Sequence, residues 1–461
     1  MASKKSLFSR VGPGLITVCV VVGPGSIVTS SNVGAQFGFE LLWVLLVAVI
    51  LMLTFMTLGA RLGVMADSNP GDLIRQRWGR WLTLVLGISV FTIAATFQFA
   101  NNLGVIAAIE SWSSPSVDTA AITASSDSNQ TEPSIRQSSI ESSGPGLGTL
   151  ATVLFLNGLA IAFLLGSKKF YPPLEKIMTG FVGFMLIAFL INLLFSRPDP
   201  MEMFSGLIPR WSQIAGQDND WLTIIAWIAT TFSVAIAYFQ AYLVRQKGWR
   251  EEDLGSGMMD VTISAVLLGL ITLMITGTAA AALRGQDLTD VTKIATQLEP
   301  AFGVWGKRLF CLGLFSAAYS SFLVNSTIGG FMLADGLSLG SNTQDVWPRR
   351  FAVVVLLVGL AVAIVMSLLG GNIGWAILFA QAITVIVAPL LGVTLVILTN
   401  SKEIMGERTN SLGLNLLAGL GILMLLVLSV FVVKQKIVPK IQTWLTPDEV
   451  SQQAEPAVRA H

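Results

Sequence analysis

The sequence predicts an all-α integral membrane protein with about eleven membrane-spanning helices. Of its 461 residues, 53% are hydrophobic and only 12% are charged, and the mean hydropathy is +0.72. A soluble domain carries about 25% charged residues, so this chain is far too apolar to fold in water. Its apolar stretches also have the length, about 20 residues, that one crossing of a bilayer requires.

The candidate spans can be located as long apolar runs. In chain order they are residues 15–36, 41–60, 81–109, 150–165, 177–195, 222–244, 259–283, 309–333, 351–369, 373–398 and 412–433. The first ten divide into two sets of five. Such a division is typical of inverted-repeat transporters, in which the leading helix of each set is discontinuous near the middle of the membrane.

The first span contains a proline between two glycines. Gly23-Pro24-Gly25-Ser26 interrupts the apolar run. Proline removes a helical hydrogen bond, and freed backbone groups survive in a membrane only where protein or a polar cavity surrounds them. The motif therefore predicts a broken helix that lines a binding site. A simple kink is the alternative for an isolated motif, because Gly and Pro are common in membrane helices.

The sixth span has an interruption without proline or glycine. At residues 229–234, Thr230, Thr231 and Ser233 place three hydroxyls within four residues. Such hydroxyls either line a polar break or bond back to carbonyls of their own helix. Residues 229–234 are the predicted second break, with the continuous helix left open as an alternative.

The whole chain, 1–461, is predicted to form one transporter domain. Residues 111–148 are dense in Ser, Thr, Asp and Pro, which predicts a loosely packed external loop between the third and fourth spans, and 434–461 form a short polar tail. A cytoplasmic amino terminus places 17 of the 28 Lys and Arg residues on the cytoplasmic side. The positive-inside rule therefore predicts that orientation, with the carboxyl terminus outside a cell or inner membrane.

Few side chains are available for catalysis or cofactor binding. The only histidine is His461, and Cys19 and Cys311 lie in or beside apolar spans. No Ser/His/Asp set or Cys/His pair can be assembled, so we expect neither an enzyme nor a bound cofactor. Asp260 and Asp335 lie towards span ends and are expected to be helix caps or interface ion pairs. The net charge of +1 does not indicate a nucleic-acid partner, which leaves a small ion and the lipid bilayer.

Several motifs have the order and spacing of a known family. They are Gly-Pro-Gly-Leu at 12–15, Gly-Pro-Gly-Ser at 23–26, Gly-Ala-Gln-Phe-Gly-Phe-Glu-Leu-Leu-Trp at 34–43, Ala-Arg-Leu-Gly at 60–63, Pro-Leu-Glu-Lys at 173–176 and Thr-Asn-Ser-Lys-Glu-Ile-Met-Gly-Glu at 399–407. With them the chain resembles the Nramp family of divalent-metal transporters. The resemblance implies a LeuT-type fold, a 5+5 inverted repeat with broken helices 1 and 6, and a substrate held between the two breaks.

The resemblance fails at the residues that bind the family's metal. The family's first-helix Asp and Asn correspond to Gly23 and Ser26, and its sixth-helix Met corresponds to Ser233. A second histidine of the sixth helix corresponds to Gln240, whereas the glutamine of the tenth helix is retained as Gln381. The resemblance therefore implies a metal site without its usual carboxylate, thioether and imidazole.

The third helix departs from the family in the same way. The family's proton route uses an Asp and a Glu one turn apart, and Gln98 and Asn101 stand at those positions. Amides do not exchange a proton at physiological pH. Gln98, Asn101 and Gln240 are therefore expected to be neutral replacements on the proton route, with polar contacts between helices as the alternative role.

The donors that remain at the expected site are neutral and hard. The candidate substrate-binding residues are Gly23, Ser26, Thr230, Thr231, Ser233 and Gln381, of which Ser26, Ser233 and Gln381 are the candidate metal ligands. We expect a secondary transporter that moves a divalent cation by alternating access without proton coupling, and that selects a hard or hydrated ion such as Mg2+ over Mn2+ or Fe2+. The alternatives are a transporter of another small solute or an anion, and a non-transporting sensor on the same scaffold.

Overall fold

The structure is a computed structural model. It describes residues 12–113, 146–166, 171–209, 221–286, 288, 291–342, 345–369 and 373–438. Most of the predicted loop 111–148 and of the predicted tail 434–461 lies outside these residues.

Seventeen α-helices follow one another in the described part of the chain. They are α1 (Pro13–Val21), α2 (Pro24–Phe37), α3 (Leu42–Met65), α4 (Pro70–Trp78), α5 (Arg80–Ser113), α6 (Leu147–Gly166), α7 (Tyr171–Ser196), α8 (Pro200–Ser205), α9 (Trp221–Thr231), α10 (Val234–Lys247), α11 (Leu254–Ala282), α12 (Val291–Gly336), α13 (Val346–Leu368), α14 (Ile373–Ile383), α15 (Ala388–Asn400), α16 (Lys402–Met405) and α17 (Leu412–Val432). Short 3₁₀ turns at Glu251–Asp253 and Thr384–Ile386 and a π turn at Val433–Ile437 join or extend them.

The prediction of about eleven spans is confirmed. Ten helices or continuous helix pairs are long and apolar enough to cross a membrane, and the bent pair formed by α1 and α2 makes an eleventh. Several spans extend beyond their predicted bounds, and two helices are especially long. Helix α5 has 34 residues and α12 has 46, because polar residues at their ends continue the helix past the apolar run that defined each prediction.

The first span is broken at the predicted motif. Helices α1 and α2 meet at an angle of 58°. Pro24 is the first residue of α2, where its missing N–H costs nothing, and Gly23 before it is extended at φ −104° and ψ −177°. A residue that precedes proline is disfavoured in the helical region, so the chain leaves α1 at Val22 and re-enters a helix at Pro24.

The sixth span is broken within the predicted hydroxyl-rich segment. Helix α9 ends at Thr231 and α10 begins at Val234. Ser233 has φ −97° and ψ 97°, and its backbone departs from the helix although the segment holds no proline or glycine. Broken helices 1 and 6, the arrangement expected of a 5+5 inverted repeat, are therefore both present.

The tenth span has an interruption that the sequence did not predict. Helix α14 ends at Ile383, and the 3₁₀ turn Thr384–Ile386 separates it from α15. Pro389 lies in the first turn of α15, where a helix accepts proline. The apolar run 373–398 is continuous across this turn, so hydropathy alone could not indicate it.

The broken sixth span lies at the centre of the bundle. The apolar window of the span Trp221–Lys247 is buried throughout, whereas only 22% of the corresponding window in Leu412–Gln435 is buried. Helix α9 packs against α2, α3 and α14. Helix α17 lies at the periphery and turns residues such as Leu416, Leu423 and Val427 outward. The two breaks are thus held inside protein, where their freed backbone groups can be satisfied.

Candidate functional site

The tenth span contacts the first break through Gln381. A β-carbon added at Gly25 would overlap the Gln381 carboxamide, so this side chain lies directly on the backbone at the start of α2. Gln381 is 2% exposed and its Oε1 has no hydrogen-bond partner among the described residues. The Gln381 carboxamide therefore packs on the first break through its Nε2, with Gly25 allowing its close approach.

The space beside Gly23 is occupied by α5 and α12. A β-carbon built at Gly23 would lie 3.0 Å from Ser321 Oγ and 3.3 Å from Asn101 Oδ1. Ser321 Oγ donates to the Cys19 carbonyl at 2.9 Å, which satisfies one of the carbonyls left free where α1 ends. Two neutral oxygens thus surround the position at which the Nramp resemblance implies a carboxylate.

The two broken spans touch through α2 and α9. The hydroxyls of Thr29 on α2 and Thr230 on α9 lie 3.4 Å apart. One turn further on, Trp227 Nε1 donates to Ser30 Oγ at 3.1 Å. Thr29 also donates to the Ser26 carbonyl at 3.1 Å. Helices α2 and α9 are therefore joined by hydroxyl contacts beside the candidate residues Ser26 and Thr230.

Ser233 lies at the second break next to the interruption of the tenth span. A cavity of about 10 Å³ is lined there by Phe232, Ser233 and Val234, by Thr384 and Val385 of the 3₁₀ turn, and by Ile93 of α5. This volume is close to the minimum that one water molecule requires. Thr384 donates to the carbonyl of Gln381 at 2.7 Å, so the turn that contacts Ser233 also holds the Gln381 backbone.

The candidate residues are enclosed. Ser26 is 1% exposed and Ser233 is 6% exposed. Among the described residues, Ser26 Oγ and Thr231 Oγ1 have no hydrogen-bond partner. Leaving a buried polar atom unpaired costs about 1–3 kcal/mol. Each break therefore holds a buried oxygen whose hydrogen-bonding capacity is not used by the described residues.

The site carries no charge of its own. Residues 23–26, 229–234 and 381 include no ionisable side chain. Across the described part of the chain, no group of three His, Cys, Asp or Glu side chains lies together in a way that could hold a metal ion. The electrostatic field at the breaks therefore comes from hydroxyl, amide and backbone dipoles and from the amino-terminal ends of α2 and α10.

The three residues expected on the proton route do not form one chain of contacts. Asn101 Nδ2 lies 3.5 Å from Gln98 Oε1 on α5. Gln240 lies elsewhere, where its Oε1 accepts from Thr17 at 2.7 Å and its Nε2 lies 3.4 Å from Asp260 Oδ2. Gln240 therefore joins α1, α10 and α11, whereas Asn101 lies beside Gly23.

The two buried carboxylates cap helices. Asp260 accepts from the backbone N–H groups of Gly12 and Gly14 at 2.8 and 2.7 Å, at the start of α1. Asp335 accepts from the N–H of Gly71 at 3.1 Å, at the start of α4, and from the Tyr242 hydroxyl at 2.5 Å. An anion at a helix amino terminus is stabilised by the unpaired N–H groups there. The expectation of caps agrees with this geometry.

Contacts between helices cross the bundle on both sides of the breaks. On one side, Asn32 Nδ2 donates to the Leu288 carbonyl at 2.9 Å, and the N–H of Gly285 donates to the Ala35 carbonyl at 2.8 Å. On the other side, Lys247 Nζ lies 2.8 Å from Glu175 Oε1, next to Gly12. These contacts join helices on both sides of the breaks, and the candidate residues between them are buried.

Three residues at the breaks were not predicted, and a fourth was predicted in a different role. Ser321, Thr29 and Thr384 were not candidates, and Asn101 was assigned to the proton route without a place beside Gly23. The serines of α12 carried one usable signal, since Ser320-Ser321 interrupts an apolar run. No sequence signal indicated the contact of Asn101 with Gly23, because about 80 residues separate the two positions in the chain.

Comparison with protein-family models gives one match. The model described as natural resistance-associated macrophage protein-like, Nramp, matches residues 14–128 and 143–435. Among curated proteins, the divalent metal cation transporter MntH of Deinococcus radiodurans is 25% identical over 406 residues, covering 86% of this chain and 83% of that protein. The MntH of Yersinia enterocolitica is 25% identical over 448 residues, covering 93% and 95%.

Solved structures show the same fold. A mutant of the Eremococcus coleocola manganese transporter superposes with a TM-score of 0.76 at 16% identity, covering 98% of this chain and 92% of that one. MhsT in complex with L-phenylalanine superposes with a TM-score of 0.58 at 15% identity, covering 93% and 99%. These likenesses establish the LeuT-type fold that the sequence predicts.

Proposed function

We propose, since this chain belongs to the Nramp family, that it is a secondary transporter of a divalent metal cation that works by alternating access. Two curated relatives that it matches over most of their length are named divalent metal cation transporters. The buried oxygens of Ser26, Thr231 and Gln381, which have no hydrogen-bond partner among the described residues, are the single observation in this chain that supports the proposal. Its oxygen donors are a type that hard divalent cations accept.

The same buried oxygens support selection of a hard or partly hydrated ion such as Mg2+ over Mn2+ or Fe2+. Ser26, Ser233 and Gln381 are the proposed ligands, with Asn101 Oδ1 and the backbone beside Gly23 close by. Neutral hydroxyl and amide oxygens offset little of the cost of removing a cation's water. Mg2+ gives up its water reluctantly and is usually bound with several waters retained. Residues 23–26, 229–234 and 381 include no thioether that would favour a softer metal.

We further propose that transport is not coupled to protons. Gln98, Asn101 and Gln240 cannot bind and release a proton at physiological pH. Asp260, the buried acid nearest Gln240, is engaged by the backbone of α1. A proton released with each metal ion would need an acid that faces the substrate, and residues 23–26, 229–234 and 381 offer none.

Liposome uptake tests both the proposed ion selectivity and the proposed absence of proton coupling. The full-length protein is reconstituted, and entry of Mg2+, Mn2+ and Ca2+ is followed together with the internal pH. We expect Mg2+ entry to exceed Mn2+ entry, with no acidification, because the site carries neither soft ligand nor titratable group. Strong acidification driven by Mn2+ would contradict the proposed selectivity and the absence of proton coupling.

The variant Gly23→Asp with Ser233→Met tests whether the site has been retuned. The pair restores a carboxylate and a thioether at the two breaks, so Mn2+ binding should rise by about tenfold or more. The Asp side chain requires Ser321 Oγ and Asn101 to move slightly, and the serine hydroxyl can rotate away. Isothermal titration measures the affinity. The matched control, Gly23→Asn with Ser233→Leu, has similar volume without either ligand and should leave Mn2+ binding unchanged.

A small anion is the second candidate substrate. Helices α2 and α10 both begin at a break, and neither amino terminus receives a side-chain cap. Uncapped N–H groups and the positive end of the helix dipole favour an anion. The same liposomes, loaded with anion-sensitive dyes, separate the two candidates. Anion entry without any divalent-cation entry would favour this alternative over the cation.

A further inference from the structure

A groove on the membrane-facing surface lies outside the proposed transport site. It has a volume of about 200 Å³ and runs between the end of α5 and the beginning of the membrane part of α12. Its walls are almost entirely apolar, with Ala108 and Ile109 on one side and Cys311, Leu312 and Phe315 on the other. Leu312 is 40% exposed on the outside of the bundle. The groove therefore opens toward lipid.

A guanidinium lies at the rim of this groove between two indole rings. The Arg308 guanidinium carbon is 5.4 Å from the centre of the Trp305 ring and 5.8 Å from that of Trp112. Trp305 and Trp112 are 69% and 50% exposed. Exposed tryptophans at the ends of membrane spans mark the level of the lipid headgroups. Cation–π contact with both rings holds Arg308 at that level.

The spacing along α12 places the guanidinium directly above the groove. Arg308, Cys311, Leu312 and Phe315 are separated by three, four and seven residues, so they share one face of the helix. The distance from Arg308 to Phe315 along the axis is about 10 Å at 1.5 Å per residue. The charged side chain of Arg308, at the headgroup level, thus lies above an apolar groove that extends about 10 Å into the hydrocarbon.

The local charge favours an anionic occupant. The segments 105–113 and 305–315 carry Glu110, Lys307 and Arg308, which leaves a formal charge of +1. Arg308 has no ion pair with any residue that the structure describes. An exposed arginine fork binds phosphate oxygens in a bidentate manner.

We propose that this groove binds an anionic phospholipid, with the phosphate on Arg308 and one acyl chain along Ile109, Leu312 and Phe315. The apolar walls take up the chain, and the two indoles hold the guanidinium in place for the headgroup. The lipid would sit on the seam between α5 and α12, the helices that carry Asn101 and Ser321 beside Gly23. This site is independent of the transported substrate.

Native mass spectrometry of the full-length protein in detergent tests the proposal. Phosphatidylglycerol and phosphatidylcholine with the same acyl chains are titrated separately. We expect phosphatidylglycerol to bind about fivefold more tightly, since one basic side chain near a membrane contributes about 1 kcal/mol. Arg308→Gln should remove this preference, and Leu312→Trp, which fills the groove, should weaken binding of both lipids.

Arg350→Gln is the matched control. Arg350 is also exposed and also stacks on a tryptophan, 5.3 Å from the Trp347 ring centre, but it lies on α13 away from the groove. The variant Arg350→Gln should leave the lipid preference unchanged. Thermal unfolding verifies that each variant is folded. Equal binding of the two lipids, or a preference that survives Arg308→Gln, would overturn the proposed headgroup contact. Unchanged binding in Leu312→Trp would overturn the proposed chain position.

Discussion

Gly25 is the residue on which the geometry of the first break depends. Its α-carbon faces the Gln381 carboxamide with no room for a methyl group between them. Gln381 is buried, so it cannot swing into solvent to make room. The absence of a side chain at Gly25 therefore determines how closely the tenth span approaches the start of α2.

Gly25→Ala should impair transport with little effect on the fold. The added methyl displaces Gln381 at a cost of about 1–3 kcal/mol, so the apparent affinity for the substrate should fall by about tenfold. Liposome uptake at several substrate concentrations measures the change. Gly183→Ala, on α7 with nothing within 4 Å, is the control and should behave as wild type. Equal uptake in both variants would show that Gln381 does not act at the site.

Individual residues differ in how far the sequence predicted them. The position of the break at Gly23 followed from Gly-Pro-Gly, because the motif acts on its own backbone, while the choice of a break over a kink depended on the resemblance of the surrounding motifs. The residues that contact Gly23 could not be predicted from this motif. Asn101 and Ser321 reach it from α5 and α12, and only the packing of three helices brings these distant parts of the chain together. The missing acid was thus predictable, whereas the oxygens that fill its place were not.

Among the elements, α1 is held at its amino-terminal end by charged contacts. Asp260 accepts from two N–H groups at the start of the helix, and the ion pair between Lys247 and Glu175 lies against Gly12. The side chains of this pair are only 13% and 23% exposed, so solvent screens them incompletely. The pair therefore joins α7 to α10 directly beside the amino-terminal end of α1.

Lys247→Gln should loosen α1. Loss of a partly screened ion pair costs about 1 kcal/mol, which corresponds to about fivefold faster local opening. Hydrogen exchange of the amides in Pro13–Val21, followed by mass spectrometry, measures this opening. Arg284→Gln breaks the exposed pair between Arg284 and Glu202 instead, and it should leave exchange in α1 unchanged. If the two variants accelerate exchange in α1 equally, the Lys247 pair has no special role there.

Helix prediction succeeded where one physical signal was sufficient. Length and hydropathy indicated every span, because a membrane imposes both on each crossing helix. Length and hydropathy could not indicate the interruption at Thr384–Ile386, because its residues Thr, Val and Ile are together as apolar as the helix on either side. The break at Ser233 was predicted only as a hydroxyl-rich segment with a helical alternative. Backbone breaks without Gly or Pro depend on packing that composition does not record.

At the scale of the whole molecule, charge asymmetry predicts the direction of insertion. The positive-inside rule places the amino terminus and the connection after the tenth span, residues 401–411, in the cytoplasm. The connection after the fifth span, which contains α8, then lies outside. With this orientation the ion pair beside α1 lies at the cytoplasmic end, and the lipid groove faces the outer leaflet.

Labelling of single cysteines in intact cells tests this orientation. Met201→Cys is on α8, where Met201 is 76% exposed, and Ser411→Cys is at an exposed position before α17. A maleimide that cannot cross membranes should label Met201→Cys in intact cells and Ser411→Cys only after permeabilisation. The native Cys19 and Cys311 are buried, so the wild-type protein should give little background and serves as the control. The reverse labelling pattern would invert the assigned orientation, and the ion pair beside α1 would then lie at the external end.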